Sequence, residues 1–282
     1  MNQATLLQRV VEWANRQPDI IALIITGSHA RRDDMVDELS DYDLDVFATN
    51  PERYTSSAGW MREMGEVWVY LPLMSSRGCP TRLAIFEGGL KVDFSIFPVK
   101  WLEDSVSSQK LSQLYDRGYR ALVDKRDLAA HLPAPSYESP ARAQPTEAEF
   151  RAAIEEFWFE AAQIPKYLQR EDLWVVKHRD WTMKELLLQM LEWHVISING
   201  EHSDVWHAGT RMKDWVRPDV WKDLHEVFGL FDAADSWRAL LATVSLFRNL
   251  ARETAENLGY QYPQQVDDAI GGYLREFEGK FS

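Results

Sequence analysis

The sequence predicts an α/β (α+β) domain with a mixed sheet, followed by an all-α helical bundle domain. Three observations support this. Residues 1–130 combine an opening helical pattern with short strand-like segments, a proline-rich stretch follows, and the remaining chain repeats apolar residues at helical spacing. A chain of 282 residues is long enough for two domains with separate cores. We expect domains at 1–132 and 146–282, joined by a proline-rich linker at 133–145.

The first domain is predicted to contain a sheet. Five segments have the alternation, or the β-branched and aromatic residues, of strands: 20–26, 43–49, 66–71, 82–87 and 90–97. The last two are separated by Gly88-Gly89, a dipeptide that permits the positive φ angles of a two-residue hairpin. These two strands are therefore predicted to be antiparallel neighbours.

The linker and the helical domain have separate signals. Residues 131–145 carry four prolines and little apolar periodicity, which disfavours both helices and strands. Thr146 followed by Glu149 has the spacing of a capping box, so a helix is predicted to start at about residue 147. Five segments with helical periodicity predict the bundle: 147–162, 183–197, 220–228, 236–258 and 264–278.

Tryptophan is frequent, with 12 residues in the chain. Trp181, Trp193 and Trp206 could stack on a ligand, but their helical context favours packing in the core. We therefore predict that they lie outside the functional site.

Composition and charge limit the classes of function. Lys and Arg number 31 against 44 Asp and Glu, and the resulting formal net charge of −13 would repel a nucleic-acid backbone. No apolar run approaches the roughly 20 residues that span a bilayer, and the N-terminus lacks a signal-peptide pattern. The single cysteine, Cys79, excludes an internal disulfide and a cysteine-based zinc site. We expect a cytoplasmic protein that binds neither nucleic acid nor membranes.

Residues 26–47, TGSHARRDDMVDELSDYDLDVF, carry the signal of chemistry. A buried strand ends in Gly27-Ser28, and after a polar loop the next strand begins with aspartates at alternate positions. Because strand side chains alternate between faces, Asp41, Asp43 and Asp45 are predicted to share one face. Clustered carboxylates repel one another unless cations neutralise them, and their oxygens suit Mg²⁺.

A second strand is predicted to add to this group. Lys91, Asp93 and Ser95 take the polar face of their strand. Two metal ions can grip a triphosphate and an attacking oxygen, while a free carboxylate takes the proton of an acceptor hydroxyl. Gly27 permits close approach of the backbone to a phosphate, and Ser28 can donate its hydroxyl and amide to phosphate oxygens. The pattern predicts transfer of a nucleotide.

Each motif alone also has a structural explanation. A Gly-Ser pair is usually a turn, and an acidic strand end is usually a solvated edge. The order of the motifs along the chain is more specific than either motif alone, because the Asp-X-Asp strand is followed about fifty residues later by Asp in another apolar strand. Phosphate-loop and dinucleotide-binding hypotheses fail because their glycine-rich motifs are absent from the sequence.

With these motifs the sequence resembles the nucleotidyltransferase superfamily, specifically the aminoglycoside 6-adenylyltransferases that inactivate streptomycin. The resemblance runs nearly end to end. It includes TGSHA, SDYDLDVF and KVDFSIFP, and in the helical half EFWFEAAQIPKYLQRE, KELLLQMLEWHVISING and LFRNLARETAENLGYQYP. It implies a nucleotidyltransferase domain that moves AMP from ATP to an aminoglycoside hydroxyl, with streptomycin as the acceptor, release of pyrophosphate and antibiotic resistance.

The resemblance also implies roles for individual residues. Asp41 and Asp43 match the metal-binding pair, and Asp93 matches the third carboxylate, which is either a metal ligand or the base that activates the acceptor hydroxyl. Two Mg²⁺ ions and ATP are the implied cofactors. Lys166 matches a helical-domain lysine placed to meet the triphosphate, with a surface lysine as the alternative. Asp45 matches no metal position and is expected to support the others.

Differences from the relatives concern phosphate and acceptor contacts. The expected nucleotide-binding residues are Gly27, Ser28, His29, Arg31 and Lys166. His29 stands where relatives carry arginine after Gly-Ser, which indicates rearranged phosphate contacts. The loop at 73–80 is shorter than in those relatives, so the acceptor is less defined than the reaction.

The expected partners are ATP and a small cationic acceptor such as streptomycin, with the chain as a monomer or a homodimer. Two alternatives stay open. The same transfer can use another acceptor, such as a lincosamide, a different aminoglycoside or a metabolite. The chain can also be a non-catalytic nucleotide-binding homologue, for which His29 is the hint.

Overall fold

In the computed structural model, which describes residues 1–32, 36–205 and 208–281, the chain divides into two units, Met1–Glu138 and Ser139–Ser282. The first unit combines a mixed sheet with helices, and the described part of the second is helical. The predicted fold class is therefore confirmed. The division falls inside the proline-rich segment, and the predicted domain boundaries stay predictions.

A mixed sheet is the framework of the first unit. Its strands are β1 Ile20–Thr26, β2 Tyr42–Ala48, β3 Val67–Met74, β4 Pro80–Phe86, β5 Leu90–Pro98 and β6 Arg120–Asp124. Among the described residues these six strands form one sheet in the order β3-β4-β5-β2-β1-β6. β2 and β5 are parallel, whereas the other neighbouring pairs are antiparallel. β1 is buried along its whole length, which accounts for its uninterrupted apolar sequence.

Two details of the sheet differ from the prediction. β4 and β5 are antiparallel neighbours as predicted, but Phe86 pairs with Leu90, so the connection has three residues rather than two. Gly88 and Gly89 both adopt the positive φ angles that this tight connection requires. β6 was not predicted, because its five residues are too few to show a clear alternation.

Helices pack against both faces of the sheet. They are α1 Gln3–Arg16, α2 Glu52–Thr55, α3 Val99–Ser108 and α4 Gln113–Asp116. Leu6 and Trp13 of α1 share a buried cluster with Ile25 of β1. On the opposite face, Ile24 of β1 packs in a cluster with Leu102 of α3. The alternation of β1 thus supplies both cores of the unit.

Helices form the described part of the second unit. They are α5 Glu147–Gln169, α6 Leu173–Asn199, α7 Met212–Trp215, α8 Pro218–Leu224, α9 Ala233–Leu258 and α10 Gln264–Arg275. Thr146 and Glu149 form the predicted capping box, which confirms the start of α5 at residue 147. Phe157 of α5 and Phe247 of α9 stack with ring centroids 3.6 Å apart. Across the described ranges, no helix is both long and apolar enough to cross a membrane.

The prediction for the tryptophans holds for one of three. Trp193 packs against the core of the second unit. Trp181 is 61% exposed, so its predicted burial is wrong. Helical spacing identifies an apolar stripe but does not decide whether every residue on it is covered. Trp206 lies outside the described residues.

Candidate active site

The parallel register of β2 and β5 brings two predicted carboxylates together. Asp43 of β2 is the pairing partner of Asp93 of β5. Residues in register on adjacent strands point to the same face of a sheet, so both carboxylates lie on one side. Asp41 directly precedes β2, which adds a third carboxylate at the same end of the strand pair.

Lys91 joins two of these carboxylates. Its Nζ donates hydrogen bonds to Asp41 Oδ2 at 2.7 Å and to Asp93 Oδ2 at 3.0 Å. Although burial opposes its charged form, these hydrogen bonds raise the pKa of Lys91 above its ordinary value. The sequence prediction did not select Lys91 as a site residue. Its position two residues before Asp93, on the polar face of β5, was the available signal.

Asp43 carries a negative charge that is poorly compensated. Burial and then the neighbouring Asp93 raise the pKa of Asp43 to about 6. In the described part of the chain, no donor forms a hydrogen bond with the Asp43 carboxylate. A cation bound beside this carboxylate would stabilise its ionised form and so offset the effect of burial and of Asp93.

The turn after β1 packs against Asp43. Gly27 has a φ of +65°, and a Cβ placed there would lie 2.0 Å from Asp43 Oδ2. Only glycine combines this backbone conformation with the close approach. Ser28–Ala30 then form a 3₁₀ turn, and the amide of Arg31 donates to the Ser28 carbonyl. Of the predicted nucleotide-binding residues, Gly27 therefore contacts a carboxylate, and Ser28, His29 and Arg31 follow it in the chain.

His29 packs against β2 through its ring. The ring stacks on Tyr42 with centroids 4.3 Å apart. Burial lowers the pKa of His29 despite an opposing hydrogen bond to the Ser40 carbonyl. The buried Nε2 has no hydrogen-bond partner within the described residues. His29 is therefore neutral near pH 7 and offers no positive charge to a phosphate.

Asp45 has a different environment from the other aspartates. It is 1% exposed and accepts hydrogen bonds from both terminal nitrogens of Arg77, at 2.6 and 2.7 Å. The Tyr115 hydroxyl donates to Asp45 Oδ2 at 3.0 Å. Burial and the nearby carboxylate raise the pKa of Tyr115 well above its ordinary value, so it stays a donor. Asp45 thus ties β2 to the β3–β4 connection, as expected of a supporting residue.

The carboxylates have the chemistry of a divalent-cation site. Asp93 Oδ1 is buried and accepts no hydrogen bond from the described residues, although Lys91 Nζ lies 3.0 Å away. This oxygen and the poorly compensated carboxylate of Asp43 are ligands of the type that Mg²⁺ prefers. In the present arrangement, however, the described residues contain no group of three His, Cys, Asp or Glu placed to hold a metal ion. The residues fit a cation in type, while Lys91 occupies the space between two of them.

Lys166 lies in the second unit, near the end of α5. Its Nζ donates to Gln163 and lies 4.7 Å from the centroid of the Tyr167 ring. The guanidinium groups of Arg179 and Arg170 lie 5.4 and 6.0 Å from the same centroid. A hydrogen bond from Arg179, then the charge of Lys166, lowers the pKa of Tyr167. We call Lys166, Tyr167, Arg170 and Arg179 the Tyr167 basic cluster.

Only one cation of this cluster has a carboxylate partner among the described residues. Arg179 forms an ion pair with Glu160 at 2.8 Å, whereas Lys166 and Arg170 have none. The sequence prediction named Lys166 alone. Arg179 follows in the next helix, so only the packing of α5 against α6 could reveal it.

A glycine turn packed on a carboxylate, with a second carboxylate on the adjacent strand, is an arrangement typical of nucleotidyltransferases. Residues 1–277 match the protein family described as "Streptomycin adenylyltransferase". The chain belongs to this family.

The relatives cover nearly the whole chain. An aminoglycoside 6-adenylyltransferase of Bacillus subtilis (strain 168) is 23% identical over 280 residues, which are 96% of each chain. One from Campylobacter jejuni is 24% identical over 279 residues, 96% of this chain and 94% of that protein. The crystal structure of an aminoglycoside 6-adenyltransferase from Bacillus subtilis matches 99% of this chain and 100% of its own, with 18% identity and a TM-score of 0.48.

The buried Asp45–Arg77 pair yields a first prediction. Asp45→Asn should lower the free energy of unfolding by on the order of 3 kcal/mol, because Arg77 loses its buried counter-ion. The matched control is Asp104→Asn, which removes an aspartate from an exposed pair with Lys100 and should cost less than about 1 kcal/mol. Urea unfolding of both variants makes the comparison. Equal losses would contradict the supporting role of Asp45.

The raised pKa of Asp43 predicts how stability depends on pH. The folded protein holds the Asp43 proton up to about pH 6, whereas the unfolded chain releases it near 3.8, so ionisation on raising the pH destabilises the fold. This shift corresponds to up to about 3 kcal/mol. Asp43→Asn should therefore be more stable than wild type at pH 7 to 8, without metal, and the difference should shrink towards pH 4. Urea unfolding across that range, with Asp104→Asn as control, tests this; a constant difference would contradict it.

Proposed function

We propose that this chain transfers AMP from ATP to a hydroxyl group of an aminoglycoside, with streptomycin as the first candidate, and releases pyrophosphate. The observation that carries the proposal is the packing of the Gly27 turn on Asp43, with Asp93 in register on the neighbouring strand and Asp41 linked to Asp93 through Lys91. Family membership and the names of two full-length relatives support the acceptor class. Inactivation of the antibiotic, and hence resistance, is the proposed outcome, and the cytoplasm is the proposed location.

The proposed roles of the carboxylates follow from their surroundings. Asp41 and Asp43 would hold Mg²⁺, with two ions as in the sequence prediction, and Asp93 would be a further ligand or the base. Mg²⁺, when bound, supplies positive charge to the triphosphate and the attacking oxygen. Burial raises the pKa of Asp93, which makes it a better proton acceptor than an ordinary aspartate. Its Oδ1, which accepts no hydrogen bond from the described residues, is available for that proton or for a metal ion.

Two sets of residues, one in each unit, offer contacts of a kind that suits phosphate groups. Gly27 and Ser28 offer close backbone approach and hydrogen-bond donors, and Arg31 lies three residues after Ser28. His29 is neutral near pH 7, so we assign positive charge in this group to Arg31 rather than to His29. In the second unit we assign phosphate binding to Lys166. The Tyr167 basic cluster supports this, because it concentrates cations in a chain whose net charge is −13.

Transfer to streptomycin can be measured as pyrophosphate release from protein, Mg²⁺-ATP and streptomycin. Wild type should release pyrophosphate, and Asp41→Asn should lower kcat/KM at least about 100-fold because the variant loses a metal ligand. Asp104→Asn, which removes the same charge from an exposed position of α3, is the matched control and should retain activity.

Other outcomes of this assay distinguish the alternatives. Pyrophosphate release with a lincosamide or another aminoglycoside, but not with streptomycin, would identify that compound as the acceptor. ATP binding by calorimetry, without a modified acceptor by mass spectrometry, would identify a non-catalytic nucleotide-binding homologue. Undiminished release from Asp41→Asn would contradict the proposed site.

The Gly27 turn gives an independent test of the same site. Gly27→Ala should reduce transfer at least about 100-fold, because its Cβ would lie 2.0 Å from an oxygen of the Asp43 carboxylate and displace it. Gly89→Ala is the matched control, since Gly89 also has a positive φ, but a Cβ added there would meet no atom of the described residues within 4 Å. Both variants carry the strain of a positive φ, about 1 kcal/mol. Equal activity of the two would rule out a role for the close approach.

A further inference from the structure

The ammonium group of Lys91 binds carboxylate oxygens for which a metal ion in the candidate active site would compete. The ammonium group contacts Asp41 at 2.7 Å and Asp93 at 3.0 Å, and it links β5 to the residue that directly precedes β2. The side chains of Lys91, Asp41 and Asp93 are 34%, 43% and 21% exposed. The contact is therefore formed at the surface of the site, where the lysine has room to leave.

We propose that Lys91 is an exchangeable counter-ion of the metal site. Its ammonium group holds Asp41 and Asp93 together in the metal-free protein and releases them when a divalent cation binds. This inference rests on the proposed function, because it concerns the metal that the proposed reaction uses.

The geometry requires an exchange rather than joint occupancy. Mg²⁺ binds carboxylate oxygens at about 2.0–2.1 Å and demands a near-octahedral arrangement. An ammonium group that already donates to the Asp41 and Asp93 oxygens blocks part of that arrangement and repels the incoming ion. Among the described residues, no three His, Cys, Asp or Glu side chains are grouped to hold a metal ion.

The exchange explains how three carboxylates lie close together despite their mutual repulsion. Three carboxylates at the end of one strand pair repel each other, and Lys91 is the cation that bridges two of them. Once displaced, its flexible stem leaves the ammonium near the ion, where it can pair with a phosphate brought by the nucleotide. Lys91 would then favour the metal–nucleotide complex over the metal alone. It is a positioning residue for the carboxylates.

Metal binding without nucleotide tests the exchange directly. Lys91→Met should bind Mn²⁺ about tenfold more tightly than wild type, measured by calorimetry or electron paramagnetic resonance, because the competing cation is gone. Its melting temperature in EDTA should fall, and Mg²⁺ should raise it by more than in wild type. Lys100→Met, which removes one lysine from the exposed pair with Asp104, is the matched control and should leave Mn²⁺ affinity unchanged.

Further variants keep the test decisive. If Lys91→Met does not fold, Lys91→Gln keeps a hydrogen-bond donor without the charge and should also bind Mn²⁺ more tightly. Lys91→Arg keeps the charge and should stay close to wild type. Unchanged or weaker Mn²⁺ affinity in the folded neutral variant would overturn the proposal, as would the absence of Mn²⁺ binding in every variant. If the Lys91 variants change Mn²⁺ affinity as expected but wild type transfers no nucleotide, only the proposed function is overturned.

Discussion

The parallel pairing of β2 with β5 is the constraint on which the candidate site depends. It places Asp43 opposite Asp93 at a largely buried position, where two negative charges oppose each other. Such an arrangement costs free energy unless a cation compensates it. Lys91 supplies part of that compensation through Asp41 and Asp93.

The surrounding residues keep this unfavourable arrangement in place. Gly27 packs its backbone against the Asp43 carboxylate, where any side chain would push it away. Two residues further along β2, Asp45 is held by Arg77 and Tyr115 in a buried network. The same strand therefore carries one carboxylate that is fully satisfied and another that is not. The satisfied one stabilises the fold, and the unsatisfied one is available for a ligand.

The second unit uses charge in two comparable ways. Asp267, which is 3% exposed, is bound by Arg248 and Arg252 and thereby ties α10 to α9. In the Tyr167 basic cluster, by contrast, Lys166 lacks a carboxylate partner among the residues described. Paired charges there hold helices together, whereas the charge of Lys166 is the one to which we assign phosphate binding in the proposed function.

Local patterns in the sequence determined the elements of this protein. Alternation, or a run of β-branched and aromatic residues, predicted β1 to β5. The Gly-Gly dipeptide predicted the pairing of β4 with β5, and the capping box predicted the start of α5. Alternation also placed the aspartates on one face, and the resemblance selected Asp41, Asp43 and Asp93. These features depend on neighbours in the chain, so the sequence by itself contains them.

Only the tertiary structure decided which distant residues meet. The β2–β5 register joined Lys91 to Asp41 across fifty positions, and the packing of the β3–β4 connection brought Arg77 to Asp45. Exposure of Trp181 and the pairing of the short β6 were likewise settled by long-range contacts. Register, burial and ion pairing are properties of the assembled chain, because they depend on the relative positions of elements that local periodicity does not specify.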